Sequence, residues 1–463
     1  MRRPLPAVAF GSVIALAASY ARADTTFHAT ANGSVATTDN ALAAPSDGDR
    51  EADVFFDVRP GVLLASEGPR LIQELTAEAE VLEYVLHNDQ PSLQVRGAWR
   101  AFWTPGPRSQ VTTLVDASTG KLSALAARTS PDQTGVMVQP AGQETVRQAD
   151  VSETASYEVT QKSRLSETVY GHVVDTTDAM NDKIDSAEVG VLGSIEHTFD
   201  RDSLALELGG SYLRLDQQTI MTGVVGPVQL AEQIDPRARA IWRRDFGRHW
   251  SMNLDAGAVM IEPLHTIDTT APQHATVLPA GGVLLAYSDT WGRATVQVRQ
   301  TVAPNLLIAQ NTQDDLALAQ LALPLSWLGK SHTGAPKVNM LGSIGFDRTE
   351  LLDANTSAND GTFYVTHFDF GVTYSPETNQ TYGLRYELLA QNGDSRAALL
   401  IPSYLRNTLY FTFALTFPPR RADAMPRSTD SLRVDRSDVA PAGTTGEPVV
   451  PEAPAEEKPP AGM

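Results

Sequence analysis

The stretch DSLALELGGSYLRLD (202–216) decides the fold. Leu204, Leu206 and Leu208 fall on one parity, and Ser203, Glu207 and Ser211 on the other. A period of two sends successive side chains to opposite faces of a strand, whereas a helix would repeat its apolar residues every three or four positions. Three further stretches alternate in the same way. At 91–103, Leu93, Val95, Trp99 and Trp103 oppose Gln94, Arg96 and Arg100; at 292–302, Val296 and Val298 oppose Arg293, Gln297, Arg299 and Thr301. At 408–417, Leu409, Phe411, Phe413, Leu415 and Phe417 oppose Thr408, Thr412 and Thr416.

Outward from these stretches, residues 25–417 repeat one unit: an alternating segment followed by a break. About eighteen such segments occur, with 16–18 as the range. Short breaks, such as Ser66–Gly68, Thr160–Lys162 and Asp289–Trp291, take turns with longer ones. The longer ones include Thr38–Arg50, Ala127–Glu144, Thr176–Asp185, Gln217–Ala231 and Asn392–Ser403. Short turns at one end and longer loops at the other characterise bacterial outer-membrane barrels. The expected fold is all-β: a transmembrane antiparallel up-and-down β-barrel spanning 24–417, with both termini periplasmic. Tyr212, Trp242, Trp250, Tyr287, Trp291, Tyr374 and Tyr382 lie toward segment ends, as interfacial girdles require. A soluble β-solenoid or sandwich is the alternative, but it predicts strands of about five or six residues. Pro60, Pro279, Pro304 and Pro324 fall inside segments, where each removes a ladder donor, so either bulges occur there or the segment ends lie elsewhere. The Gly329–Pro336 break is long for a periplasmic turn.

Composition narrows the function. The 463 residues carry a formal charge of −19 and no cysteine. Disulfides, thiolate metal sites and a lipoprotein anchor are excluded, and a nucleic-acid partner lacks the basic face it needs. After the N-terminus no apolar run is long enough for a membrane-spanning helix. Residues 1–23 read as a signal peptide: Arg2 and Arg3, an apolar stretch from Ala7 to Ser19, then Ala21-Arg22-Ala23 at the cleavage site. The expected location is the outer membrane of a Gram-negative bacterium, with lipid and the barrel assembly machinery as partners. Residues 418–463, rich in Pro, Ala and Glu, are too poor in apolar residues to offset ordering entropy and read as a disordered periplasmic tail.

The inward face carries any chemistry there is. Alternation aims Glu74, Glu78 and Glu80 inward on one segment, and Arg96 with Arg100 on the next. Glu188 and Glu196 line another, followed by Glu207. Arg237, Arg239 and Arg243 form an arginine stripe, and Arg293, Arg299, Arg385 and Glu387 complete the candidates. A barrel of this strand number leaves an aqueous channel unless plugged. These charges then either neutralise one another as a solvated lining or grip a polar polymer. No cofactor or metal is expected, and no enzyme: there is no G-x-S-x-G elbow, H-E-x-x-H or phosphate-cradling loop. His172 and His197 sit on neighbouring segments, without a serine and carboxylate placed by alternation beside both.

Two short motifs add a resemblance. Ser34 to Pro45 (SVATTDNALAAP), with its T-D-N turn, and Asp53 to Val62 (DVFFDVRPGV), with its R-P-G element, resemble the first hairpin of outer-membrane barrels associated with exosortase (PEP-CTERM) and exopolysaccharide systems. The motifs cover about the first sixty residues. One departure is the 46 residues that follow Phe417, since such barrels commonly end on a terminal aromatic strand, as Phe411, Phe413 and Phe417 would form. The resemblance implies a conduit for polysaccharide secretion working with a periplasmic export protein. A passive diffusion porin and a plugged structural barrel are the alternatives.

Overall fold

The computed structural model describes residues 24–41, 50–87, 92–122, 144–177, 183–221, 224–265, 275–305, 310–330, 336–352, 359–377, 379–394 and 403–418. The expected leader and nearly all of the expected tail lie outside them. Eighteen strands make one sheet. They are β1 (Asp24–Thr38), β2 (Asp53–Glu67), β3 (Leu71–Tyr84), β4 (Ser92–Gly106), β5 (Ser109–Leu122) and β6 (Glu144–Thr160). Then come β7 (Ser163–Thr177), β8 (Lys183–Thr198), β9 (Asp202–Met221), β10 (Val224–Phe246), β11 (Trp250–His265) and β12 (Thr276–Asp289). The last six are β13 (Gly292–Asn305), β14 (Gln310–Pro324), β15 (Val338–Leu352), β16 (Asn359–Glu377), β17 (Gln380–Gly393) and β18 (Tyr404–Phe417).

Each strand pairs antiparallel with its predecessor, and β1 also pairs with β18, from Ala29 opposite Phe417 to Thr38 opposite Thr408. The sheet is therefore a closed up-and-down barrel. At the seam, Gly33 lies under the Phe413 ring, where a Cβ would stand 2.6 Å from the ring carbons. The T-D-N turn ties the same seam from above. The Asp39 carboxylate accepts from the Asn407 backbone and side-chain amides at 2.7 Å each, and Asn40 donates to the Leu405 carbonyl at 3.1 Å.

Connections at one end are two or three residues: 68–70, 107–108, 161–162, 199–201, 247–249, 290–291 and 378–379. The exception, 325–337, holds a single 3-10 turn (Ser326–Leu328) that leaves Trp327 exposed. Asp24 and Phe417 lie at this turn end. Most connections at the other end are longer, as at 39–52, 123–143, 266–275 and 394–403. The break expected over Gln217–Ala231 is instead a strand hairpin, since β9 and β10 keep pairing up to Met221 and Val224. Above the lipid both faces meet water, so apolar alternation stops while the backbone ladder continues. For the same reason the connection between β7 and β8 shrinks to 178–182.

None of the four prolines needs a bulge. Val58 opposes Val81 and Gly61 opposes Glu78 in unbroken register, with the ladder simply skipping Arg59 and Pro60. Pro324 ends β14. Pro279 pairs only with β11, and Pro304 only with β14. A proline is tolerated where its missing donor faces no partner.

The strands are 14 to 23 residues long, more than the roughly 9–11 that cross a bilayer. On every strand but β5, large apolar side chains among the described residues stand exposed on the outward parity, Leu204, Leu206 and Leu208 of β9 among them. Soluble monomers rarely expose a contiguous apolar patch beyond a few hundred Å². A belt running round a closed barrel is a lipid-facing surface. Trp250, Tyr287 and Trp291 stack along the turn end, with ring centroids 4.8 and 5.4 Å apart, as an interfacial girdle.

The interior divides into two halves. Phe55, Leu82, Tyr410, Tyr404, Phe363 and Leu389 are all less than 2% exposed, and they point inward in the half nearest the loops. Phe55 sits against Tyr84 and Tyr410 at centroid distances of 5.8 and 5.9 Å. Nearer the turns the inward positions are mostly charged or small and polar.

Candidate functional site

The charged inner wall is built from cross-strand neighbours. Where β3 meets β4, Glu74 stands opposite Arg100 and Glu78 opposite Arg96. Arg96 reaches Asp116 of β5 at 2.8 Å. Glu80 accepts from Arg59 at 3.0 Å, and Arg59 also holds Asp57 of its own strand at 2.9 Å. The R-P-G element therefore supplies an arginine to the lining, beside a proline that skips the ladder.

On the wall from β7 to β11, Tyr170 lies flat over Gly190, where a Cβ would stand 2.4 Å from the phenol oxygen. The glycine lets the ring reach along the wall. Its hydroxyl donates to Glu188 at 3.0 Å and accepts from Arg237 at 3.1 Å. Arg239 pairs with Glu207 at 3.0 Å and with Asp255 at 3.8 Å, and Arg243 pairs with Glu196 at 3.0 Å. The arginine stripe thus follows one inward face of β10, and its members are held from β7, β8, β9 and β11.

Beside the seam, Arg385 bonds Asp369 and lies 3.1 Å from Glu387, which Arg406 approaches at 3.7 Å. The Arg385 guanidinium also rests over the Tyr410 ring at 5.7 Å, joining the charged lining to the aromatic layer above. On β13, Arg293 is exposed near the turns and Arg299 is buried higher up, both on the inward parity.

The arrangement sets donors and acceptors side by side, with acids in excess of arginines among the described buried residues. Guanidinium groups hold several planar donors, carboxylates only acceptors, and a hydroxyl can serve both. Sequence reasoning missed Tyr170, Asp116, Asp255 and Arg406. Alternation marks their faces, but only the register between strands reveals which arginine or acid each one meets.

A serine–histidine contact does occur. Ser163 and His197 Nδ1 are 2.9 Å apart on the outward parity of β7 and β8, with Phe199 edge-on to the imidazole at 4.8 Å. Among the described residues no carboxylate is bonded to that ring, so the pair lacks the orienting group of a hydrolytic triad. Among the described residues no cluster of three or more His, Asp or Glu could hold a metal ion.

Comparison with known proteins adds a likeness of fold. Neither a family model nor a curated protein matches the chain. A structure of OccK2 (OpdF) from Pseudomonas aeruginosa, in complex with glucuronate, aligns over 85% of this chain and 98% of that one at 10% identity, with a TM-score of 0.44. The alcaligin outer-membrane receptor FauA from Bordetella pertussis aligns over 85% and 76% at 11% identity, with a TM-score of 0.45. OccAB3 from Acinetobacter baumannii aligns over 85% and 100% at 9% identity, with a TM-score of 0.43. At these scores the likeness carries no argument about cargo.

Proposed function

We propose that this chain is an outer-membrane conduit of a Gram-negative bacterium, passing a polar, hydroxyl-rich cargo along its inner wall. In its specific form the cargo is a polysaccharide moving outward, delivered by a periplasmic export partner at the turn end. The carrying observation is the lining of paired guanidinium and carboxylate groups on separate walls of the barrel. Guanidinium, carboxylate and hydroxyl groups side by side offer exchangeable hydrogen bonds to the hydroxyls of a sugar. The apolar outer belt supports the membrane location. Inward aromatic residues of β2, β3, β16 and β18 narrow one side of the loop half.

Gene deletion tests this reading. It should remove one surface polysaccharide while small-solute permeability stays nearly unchanged. Slower uptake of small polar solutes with all surface polysaccharides intact would make the protein a diffusion porin instead. No change in either property would contradict the conduit reading.

A further inference from the structure

The barrel wall is laddered all round, yet beside the loops one stretch is not. Between β11 and β12 pairing runs to Ile261 opposite Thr276. Between β13 and β14 it runs to Asn305 opposite Gln310, and between β14 and β15 to Asn311 opposite Leu352. Between β12 and β13, however, it stops at Gly281 opposite Gln300. Residues 276–280 and 301–305 stay strands but do not pair with each other, a parting of about 17 Å at about 3.4 Å per residue. Pro279 and Pro304 lie one on each side of it, so each freed stretch lacks a donor that re-pairing would use.

A second contact shows where the freed edge goes. Gln233 of β10 and Asn311 of β14 bond reciprocally through their carboxamides. Gln233 Nε2 donates to Asn311 Oδ1 at 3.0 Å, and Asn311 Nδ2 donates to Gln233 Oε1 at 2.8 Å. Three strands stand between them in the wall, so four inter-strand steps separate them, about 19 Å along the sheet. Two short side chains meeting tip to tip cannot bridge that distance across an undistorted cylinder. Burial agrees: consecutive Asn311 and Thr312 are 6% and 3% exposed, and consecutive Leu351 and Leu352 are 0% and 3%. Successive residues point to opposite faces, so both faces of this end are enclosed.

We propose that the loop-side end of β13–β14 is the gate of the conduit, with the Gln233–Asn311 pair as the latch that limits what passes. The inference rests on the conduit reading. In the closed state the freed edge leans away from β12 and meets β10; cargo passes when the latch opens. Asp235, which accepts from Gln233 at 2.7 and 2.8 Å, orients the Gln233 carboxamide toward Asn311.

The Cys-free chain allows a direct test in purified barrel reconstituted into planar bilayers. Gln233→Ala with Asn311→Ala should raise conductance in potassium chloride about three- to tenfold, the weight of one or two net hydrogen bonds. Gln233→Cys with Asn311→Cys, bridged by a short bifunctional methanethiosulfonate, should conduct less than its reduced form, and reductant should restore it. Bridging is read separately, by mass. A folded double-cysteine barrel that refuses the bridge overturns the proposed contact. A bridge that forms but leaves conductance unchanged overturns the gate while leaving the conduit standing. A bridged pair in a barrel that conducts in neither state, with the alanine variant equally silent, defeats the conduit reading and the gate with it.

Discussion

The loop half and the turn half of the interior are made by the same strands and solve different problems. In the loop half, Phe55, Tyr84, Tyr410 and Leu82 pack ring against ring inside the barrel, and the wall itself parts between β12 and β13. In the turn half, Arg239 and Arg243 are matched to acids on nearby strands, and Arg59 and Arg96 carry the same pairing to the loop side of mid-barrel. Apolar packing gains from excluding water, so it closes a space. Charges are costly to strip of water, so they suit the lining of a space that water can reach.

The largest effect is expected in the loop half. Phe55→Ala removes the ring that touches both Tyr84 and Tyr410 and should cost about 3–5 kcal/mol, as for other buried aromatics. Thermal unfolding in detergent would show it, together with a rise in conductance. A loss below about 1 kcal/mol would mean the cluster is not packed as a core.

A smaller effect separates the inner face from the outer one. Leu206→Arg places a charge in the apolar belt and should cost about 2–4 kcal/mol at mid-depth. Glu207→Gln, one residue away and inward, should cost less and instead weaken one of the pairings of Arg239. Equal penalties for the two would mean that the strand faces are misassigned.

The smallest effect is a pH response at the loops. His87 lies beyond the end of β3 and bonds Asp53 at 2.8 Å and Glu51. The Asp53 carboxylate first, then Glu51, pushes the imidazole above its usual 6.5. A raised folded value means the clip is at full strength below about 6.5 and is lost as pH rises through the folded value. NMR titration should place His87 above 6.5, and His87→Gln should remove that part of the pH dependence. A midpoint at or below 6.5 would show that the clip does not form in solution.

Much of this architecture is legible in the residue string, because period-two alternation reports faces directly. Leu204, Leu206 and Leu208 stand on the lipid side, while Arg237, Arg239 and Arg243 line the interior. Alternation is silent about register. Nothing in the stripe reveals that Arg239 meets Glu207 and Asp255, since both partners come from other strands. It is also silent above the bilayer, which is why the paired hairpin at the top of β9 and β10 reads as a loop. The latch was the least accessible feature, because Gln233 and Asn311 lie 78 residues apart and neither stands out by composition. The T-D-N and R-P-G motifs were visible as patterns, and the structure supplies their physics: a seam tie at Asp39 and a ladder skip at Pro60.

If the charged inner wall lines the path of passage, the arginine stripe should set the ion selectivity of the barrel. Replacing Arg237, Arg239 and Arg243 together by Gln keeps the lining polar but leaves Glu207, Glu196 and Asp255 without their guanidinium partners. The purified barrel, reconstituted between solutions of unequal potassium chloride concentration, should then shift its reversal potential toward cation selectivity relative to the unaltered protein. An unchanged reversal potential in a folded, conducting barrel would contradict the account, because the stripe would not face the path that ions take.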